Sequence, residues 1–158
     1  MTQNLTTLGP KIALFEPDIP QNTAAIIRTC ACLGAKLEII EPCGFLINDK
    51  RFKRVVMDYI GLSKIFRHND FKAFIKKHKN SRIVLMTTKA KKLYHKFKFK
   101  KNDMLLFGRE SAGVPEEIHK MIQNKIKIPM NKKSRSLNVA MSVAIVAAEA
   151  LRQNNLLK

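Results

Sequence analysis

The chain has 158 residues, 46% of them hydrophobic, enough for one folded domain with its own core, which excludes wholesale disorder. Its 30 Lys and Arg outnumber 12 Asp and Glu, a net charge of +18. That balance points either to a polyanionic partner, most often nucleic acid, or to solvated faces written in lysine. The first residues lack an apolar signal core and no run approaches the roughly 20 apolar residues of a membrane span, so a cytoplasmic protein with no membrane partner is expected.

Short apolar runs alternate with helical stretches along the chain. Residues 11–16 (KIALFE) read as a buried strand, and residues 21–33 as a helix stopped by Gly34. Residues 36–41 (KLEIIE) form a second strand, and residues 71–77 a helix. Residues 82–87 (RIVLMT) and 103–107 (DMLLF) are further strands. Residues 115–123 form a helix with a proline in its first turn and two glutamates behind it. Residues 125–128 (KIKI) are a last strand, and residues 137–153 a long final helix. Strands alternating with helices predict an α/β fold with a mostly parallel sheet flanked by helices. One domain over residues 1–158 is expected, with residues 1–10 as a flexible N-terminal extension.

Residues 89–101 (KAKKLYHKFKFKK) hold seven lysines and three aromatics. They read either as a nucleic-acid grip, with Tyr94, Phe97 and Phe99 stacking on bases, or as a charge-blunted edge strand with its rings turned inward. The odd count of three cysteines, Cys30, Cys32 and Cys43, fits no disulfide framework; they read as small, reduced core residues. No two of the scattered histidines share a metal-like spacing with a carboxylate or cysteine, so no metal is expected.

Neither a G-x-G-x-x-G after the first strand nor a phosphate-binding P-loop is present. Three strand-end loops carry the chemistry instead. The first, EPDIPQNTAAIIRTC, puts Asn22 at a helix start and Arg28 inside the helix, where it either snorkels or sits in a cleft. In the second, FGRESAGVP, Gly108 and Gly113 let a ligand approach the main chain, and Glu110 holds either the loop's own amides or a substrate. The third, IPMNKKSRSLNVA, leads to a final helix that Ser134 or Ser136 would cap. That helix is apolar almost all round, so it must be buried on more than one side, which suggests a subunit interface.

In their order and spacing, PDIPQNTAAIIRTC, LLFGRESAGVP and KIPMNKKSRSLNVAMSVAI resemble the three motifs of the SPOUT superfamily of RNA methyltransferases, in the 2′-O-ribose branch. The resemblance spans essentially the whole chain. IIEPCGF, the Asp58–Tyr59 pair and RHND ending at Asp70 are similar to one compact subgroup, the tRNA (cytidine/uridine-2′-O)-methyltransferases of the anticodon wobble nucleotide. The chain departs from that subgroup at Ala140 and Met141, where Ser-Asn is frequent, and at Arg109, where proline or serine is frequent.

The resemblance implies an α/β knot, with the C-terminal segment threaded into a trefoil, and a homodimer with sites near its interface. It implies S-adenosylmethionine as cofactor, held by Met86, Thr87 and Thr88, by Gly108, Glu110 and Gly113, and by Ile128, Met130, Ser136, Leu137 and Asn138. Arg28 would be catalytic, with Asn22 ordering the site. Arg51, Lys53 and Arg54, with Lys132, Lys133 and Arg135, would grip the tRNA anticodon stem-loop. Another tRNA position, ribosomal RNA, or an inactive RNA binder on the same fold remain the competing readings.

Overall fold

The computed structural model describes residues 9–61 and 64–157. Residues 1–8 of the expected extension lie outside that range, whereas Pro10 is buried and Gly9 approaches the side chains of Leu151 and Leu156.

Seven strands form one sheet: β1 (Lys11–Phe15), β2 (Leu37–Ile40), β3 (Ile65–His68), β4 (Ile83–Met86), β5 (Lys92–Leu93), β6 (Met104–Phe107) and β7 (Asn124–Lys127). Their order across the sheet is β3-β2-β1-β6-β4-β7-β5, and every pairing is parallel. The helices are α1 (Pro20–Leu33), α2 (Lys50–Ile60), α3 (Phe71–Lys77), α4 (Glu116–Met121) and α5 (Val139–Gln153).

Alternation along the strands divides the core. Ile12 and Leu14 of β1, with Leu105 and Phe107 of β6, face a cluster that includes Ile26 and Ile27 of α1, Val56 of α2 and Val143 of α5. Ala13 and Phe15, with Met104 and Leu106, face Phe74 of α3 and Ile118 of α4. The result is a three-layer sandwich with apolar strands covered on both faces. Gly34 ends α1 at φ 68°, in the left-handed region, as its place after Leu33 predicted.

Several local expectations are corrected. Asn138, not Ser134 or Ser136, caps α5: its Oδ1 accepts from the amides of Ala140 (2.9 Å) and Met141 (3.3 Å). α2 and β3 were not anticipated. Asp49 starts α2 by accepting from the Arg51 amide at 2.7 Å, and Phe52, Val56 and Tyr59 face inward at helical spacing beneath a charge-rich exterior. Of the cysteines, Cys30 is a core residue, its thiol pushed up to about 12 by burial; Cys43 is half-buried against the same core, and Cys32 is exposed.

In the lysine-rich stretch, β5 closes one edge of the sheet and Phe97 and Phe99 are buried, their backbones tied to Gln153 of α5. Those two rings serve the core, not a stacking surface. None of the helices among the described residues is long and apolar enough to cross a membrane.

Candidate active site

Beyond the carboxyl ends of β4, β6 and β7 lies a cavity of about 490 Å³, within the range of roughly 300–1,000 Å³ typical of small-molecule sites. Open parallel sheets place ligands at this end. Its wall brings together three groups far apart in sequence: Met86, Thr87 and Thr88; Gly108, Glu110 and Gly113; and Ile128, Met130, Ser136, Leu137 and Asn138. Asn22 reaches it from the start of α1. Not foreseen in the wall are Ile19, His119 and Lys127; nothing in their spacing marks them.

The second loop closes on itself. Arg109 and Gly113 exchange backbone hydrogen bonds of 3.1 and 2.9 Å, and Gly113 has φ 65°. A Cβ on Gly108 would stand 2.6 Å from the Cα of Gly113, a distance no side chain tolerates. The loop can therefore fold flat against the strand end, leaving main chain to line the cavity.

Polar contacts join the three loops. Glu110 accepts from the Asp18 amide at 3.1 Å and from Asn22 Nδ2 at 3.2 Å. Asn22 Oδ1 in turn accepts from Asn138 Nδ2 at 2.9 Å. Asp18 answers by accepting from the Glu110 amide at 3.1 Å and from the Ser111 hydroxyl.

The Glu110 carboxyl is the main influence holding Asp18 down, from 3.8 to about 2; burial opposes it, and the Ser111 hydroxyl and the amides of Glu110 and Ser111 assist. Burial, then the neighbouring Asp18, pushes Glu110 upward. Asp18 is thus the ionised member of the pair, and Glu110 holds a proton more readily.

Arg109 also belongs to this latch. Its guanidinium pairs with Glu16 and lies 5.2 Å from the Phe15 ring centroid. Glu16 has φ 43°, sparsely populated for a residue with a side chain.

Arg28 does not enter the cavity. It projects, exposed, from α1, with its guanidinium carbon 5.1 Å from the centroid of the Tyr59 ring on α2. The structure thus shows it as an exposed cation resting on a ring, outside the cavity wall. Arg51, Lys53 and Arg54 are exposed on α2, and Lys132, Lys133 and Arg135 are exposed on the loop into α5.

Residues 10–148 match the profile of the SpoU rRNA Methylase family. A protein of Beijerinckia indica named tRNA (cytidine(34)-2′-O)-methyltransferase is 47% identical over 144 residues, which cover 90% of each chain. A solved structure described as giving insight into the 2-OH methylation of C/U34 on tRNA superposes with a TM-score of 0.89 at 35% identity, covering 94% of this chain and 98% of that one. An AdoMet-bound rRNA methyltransferase from Sinorhizobium meliloti superposes with a TM-score of 0.85 at 25% identity, covering 95% of this chain and 57% of that one.

Proposed function

The chain belongs to the SpoU rRNA Methylase family, and from that premise we propose that it transfers a methyl group from S-adenosylmethionine to the ribose 2′-hydroxyl of the wobble nucleotide, cytidine or uridine, in the tRNA anticodon. The observation that carries this reading is the 47% identity to a protein named for the cytidine-34 reaction. The three loops matched to the family's motifs also close on a single cavity.

The residues present fit the cofactor. The cavity has the volume for a nucleoside with an amino-acid tail. The close Gly108–Gly113 contact keeps side chains out of that part of the wall, so a ligand can approach the main chain. His119 Nε2 is buried beside it without a hydrogen-bond partner, an atom ready for a polar ligand. We assign cofactor binding to Met86, Thr87, Thr88, Gly108, Glu110, Gly113, Ile128, Met130, Ser136, Leu137 and Asn138. When bound, the cofactor supplies an electrophilic methyl group on a sulfonium.

What remains for the protein is to place the ribose hydroxyl and to stabilise charge as it loses its proton. Arg28 is our choice for that second task. A guanidinium, with a pKa above about 12, is a poor base but a strong partner for a developing alkoxide or the adjacent phosphate. Asn22 bridges Glu110 and Asn138 and so orders the wall of the cavity. We assign Arg51, Lys53, Arg54, Lys132, Lys133 and Arg135 to the RNA backbone, in line with their exposure and charge.

We also read the protein as a homodimer. Ile19 and Leu137, at the cavity, and Met141 and Ile145, on α5, are exposed at 40%, 41%, 60% and 37%. A second copy would cover this apolar flank and add its groups at the cavity mouth. Finally, we read residues 1–158 as one domain whose segment after β7 threads a trefoil knot. In support, β7 lies between β4 and β5, while α5 returns to pack on α1 and β6.

The test supplies purified protein and labelled S-adenosylmethionine with total tRNA and, separately, ribosomal RNA from cells lacking the gene. Label in tRNA is expected. Label confined to ribosomal RNA would overturn the substrate while keeping the chemistry, and cofactor binding without transfer to either would favour an inactive binder.

A further inference from the structure

The half of the sheet away from the cavity holds a cluster that the proposed reaction does not use. Glu38 lies in the middle of β2, between Leu37 and Ile39, and is 2% exposed. Strand alternation turns it toward the α3 face, opposite Leu37 and Ile39. A carboxylate buried there is costly unless positive charge or hydrogen bonds compensate it.

Two histidines converge on it from different elements. His68 ends β3 and His78 follows the last turn of α3; they are 5% and 8% exposed. His68 Nε2 lies 2.5 Å from Glu38 Oε2, a short hydrogen bond. His78 Nε2 lies 3.3 Å from the same oxygen yet makes no hydrogen bond. One donor atom from each residue falls within 4.8 Å of the others. Phe74 packs against both imidazoles, at 5.3 and 5.0 Å between ring centroids, and fixes their planes.

We propose that Glu38, His68 and His78 bind a divalent transition-metal cation of the zinc class, a site that pins β2, β3 and α3 together. The sequence led to the opposite expectation. In a tetrahedral site, metal–ligand distances of about 2.0–2.2 Å place neighbouring donor atoms about 3.3–3.5 Å apart. The Glu38–His78 separation already has that length, and the His78 nitrogen is without a hydrogen-bond partner. The His68 hydrogen bond must open by about 1 Å, and the two imidazoles must settle at the same spacing from within 4.8 Å, for the cation to replace the bridging proton.

Two imidazoles and one carboxylate suit zinc, cobalt or nickel and not the all-oxygen shells of calcium or magnesium. The positive charge of Lys11 acts on His78 and opposes the binding of a cation.

The test uses the full-length protein, freed of metal by a chelator and titrated with Zn²⁺ against a chromophoric competitor, and in parallel with Co²⁺ read by visible absorption. The expected result is one cation per chain, a tetrahedral cobalt spectrum without thiolate charge transfer, and a higher thermal midpoint when zinc is present. His78→Ala and Glu38→Gln should each weaken binding by more than about tenfold, the loss that even an outer-shell change can cause, and the zinc-dependent rise in midpoint should vanish in both. Failure of the unmutated protein to bind near one equivalent would overturn the proposal without reference to any variant. So would a cobalt–thiolate band, which would assign the metal to the free cysteines, or variants that bind as tightly as the parent.

Discussion

Arg28, to which we assign the stabilisation of developing charge, would separate catalysis from stability at a single residue. Its side chain is exposed and rests on Tyr59, so its removal takes little from the core. Arg28→Ala should keep the fold and the affinity for S-adenosylmethionine while lowering turnover by about 10²-fold or more, the usual scale for losing a charge-stabilising donor. Single-turnover assays beside a cofactor titration would read both, and near-normal methylation would remove Arg28 from the mechanism. Arg109 illustrates the opposite case. It departs from the wobble subgroup, yet it is engaged by Glu16 and Phe15 inside the chain, so its role is to hold two loops together. No sequence spacing reveals such a contact, because its partners lie on a different strand.

At the scale of elements, the latch between the loop after β1 and the loop after β6 has a definite pH signature. Asp18 titrates near 2 in the fold against 3.8 ordinarily, so its ionised form stabilises the native state. That contribution is complete above the ordinary value and is lost as pH falls through the folded one. The thermal midpoint of the parent should therefore exceed that of Asp18→Asn at pH 5, and the difference should shrink steadily toward about pH 2. A difference that stays constant over that interval would refute the assignment.

Element by element, the sequence was informative where one signal dominated. Apolar runs marked β1, β4 and β6, and the glycine after Leu33 marked the end of α1. It was uninformative where signals competed. In α2 four basic residues out of the first five hid the inward Phe52, Val56 and Tyr59. At the start of α5 two serines and an asparagine were all chemically suitable caps, and only the backbone geometry selects Asn138. The cavity wall was legible as three loops, since each follows a recognisable strand. Glu38, His68 and His78 were not legible as a group, because parallel pairing of β2 with β3 joins residues 30 apart in the chain.

For the whole molecule, a net charge of +18 and an uncovered apolar flank act together. The charge suits a polyanion, and the flank suits a second copy, since exposed apolar residues gathered beside a site mark interaction surfaces. Sedimentation at micromolar concentration should show a dimer. Met141→Glu, at a position 60% exposed in the single chain, should shift it toward monomer by burying a charge only in the assembly. A parent protein that sediments as a monomer would contradict the dimer. The fold as a whole, strand–helix alternation around a parallel sheet, followed from periodicity; the order of the strands did not, because crossovers leave no local trace in composition.

The central claim concerns one atom of one nucleotide. The most direct measurement is mass-spectrometric mapping of the methylated residue in tRNA from cells lacking the gene after incubation with the purified protein and S-adenosylmethionine. The account predicts a 2′-O-methyl group on the wobble cytidine or uridine of the anticodon. Methylation at any other tRNA position, with the wobble nucleotide unmodified, would contradict it.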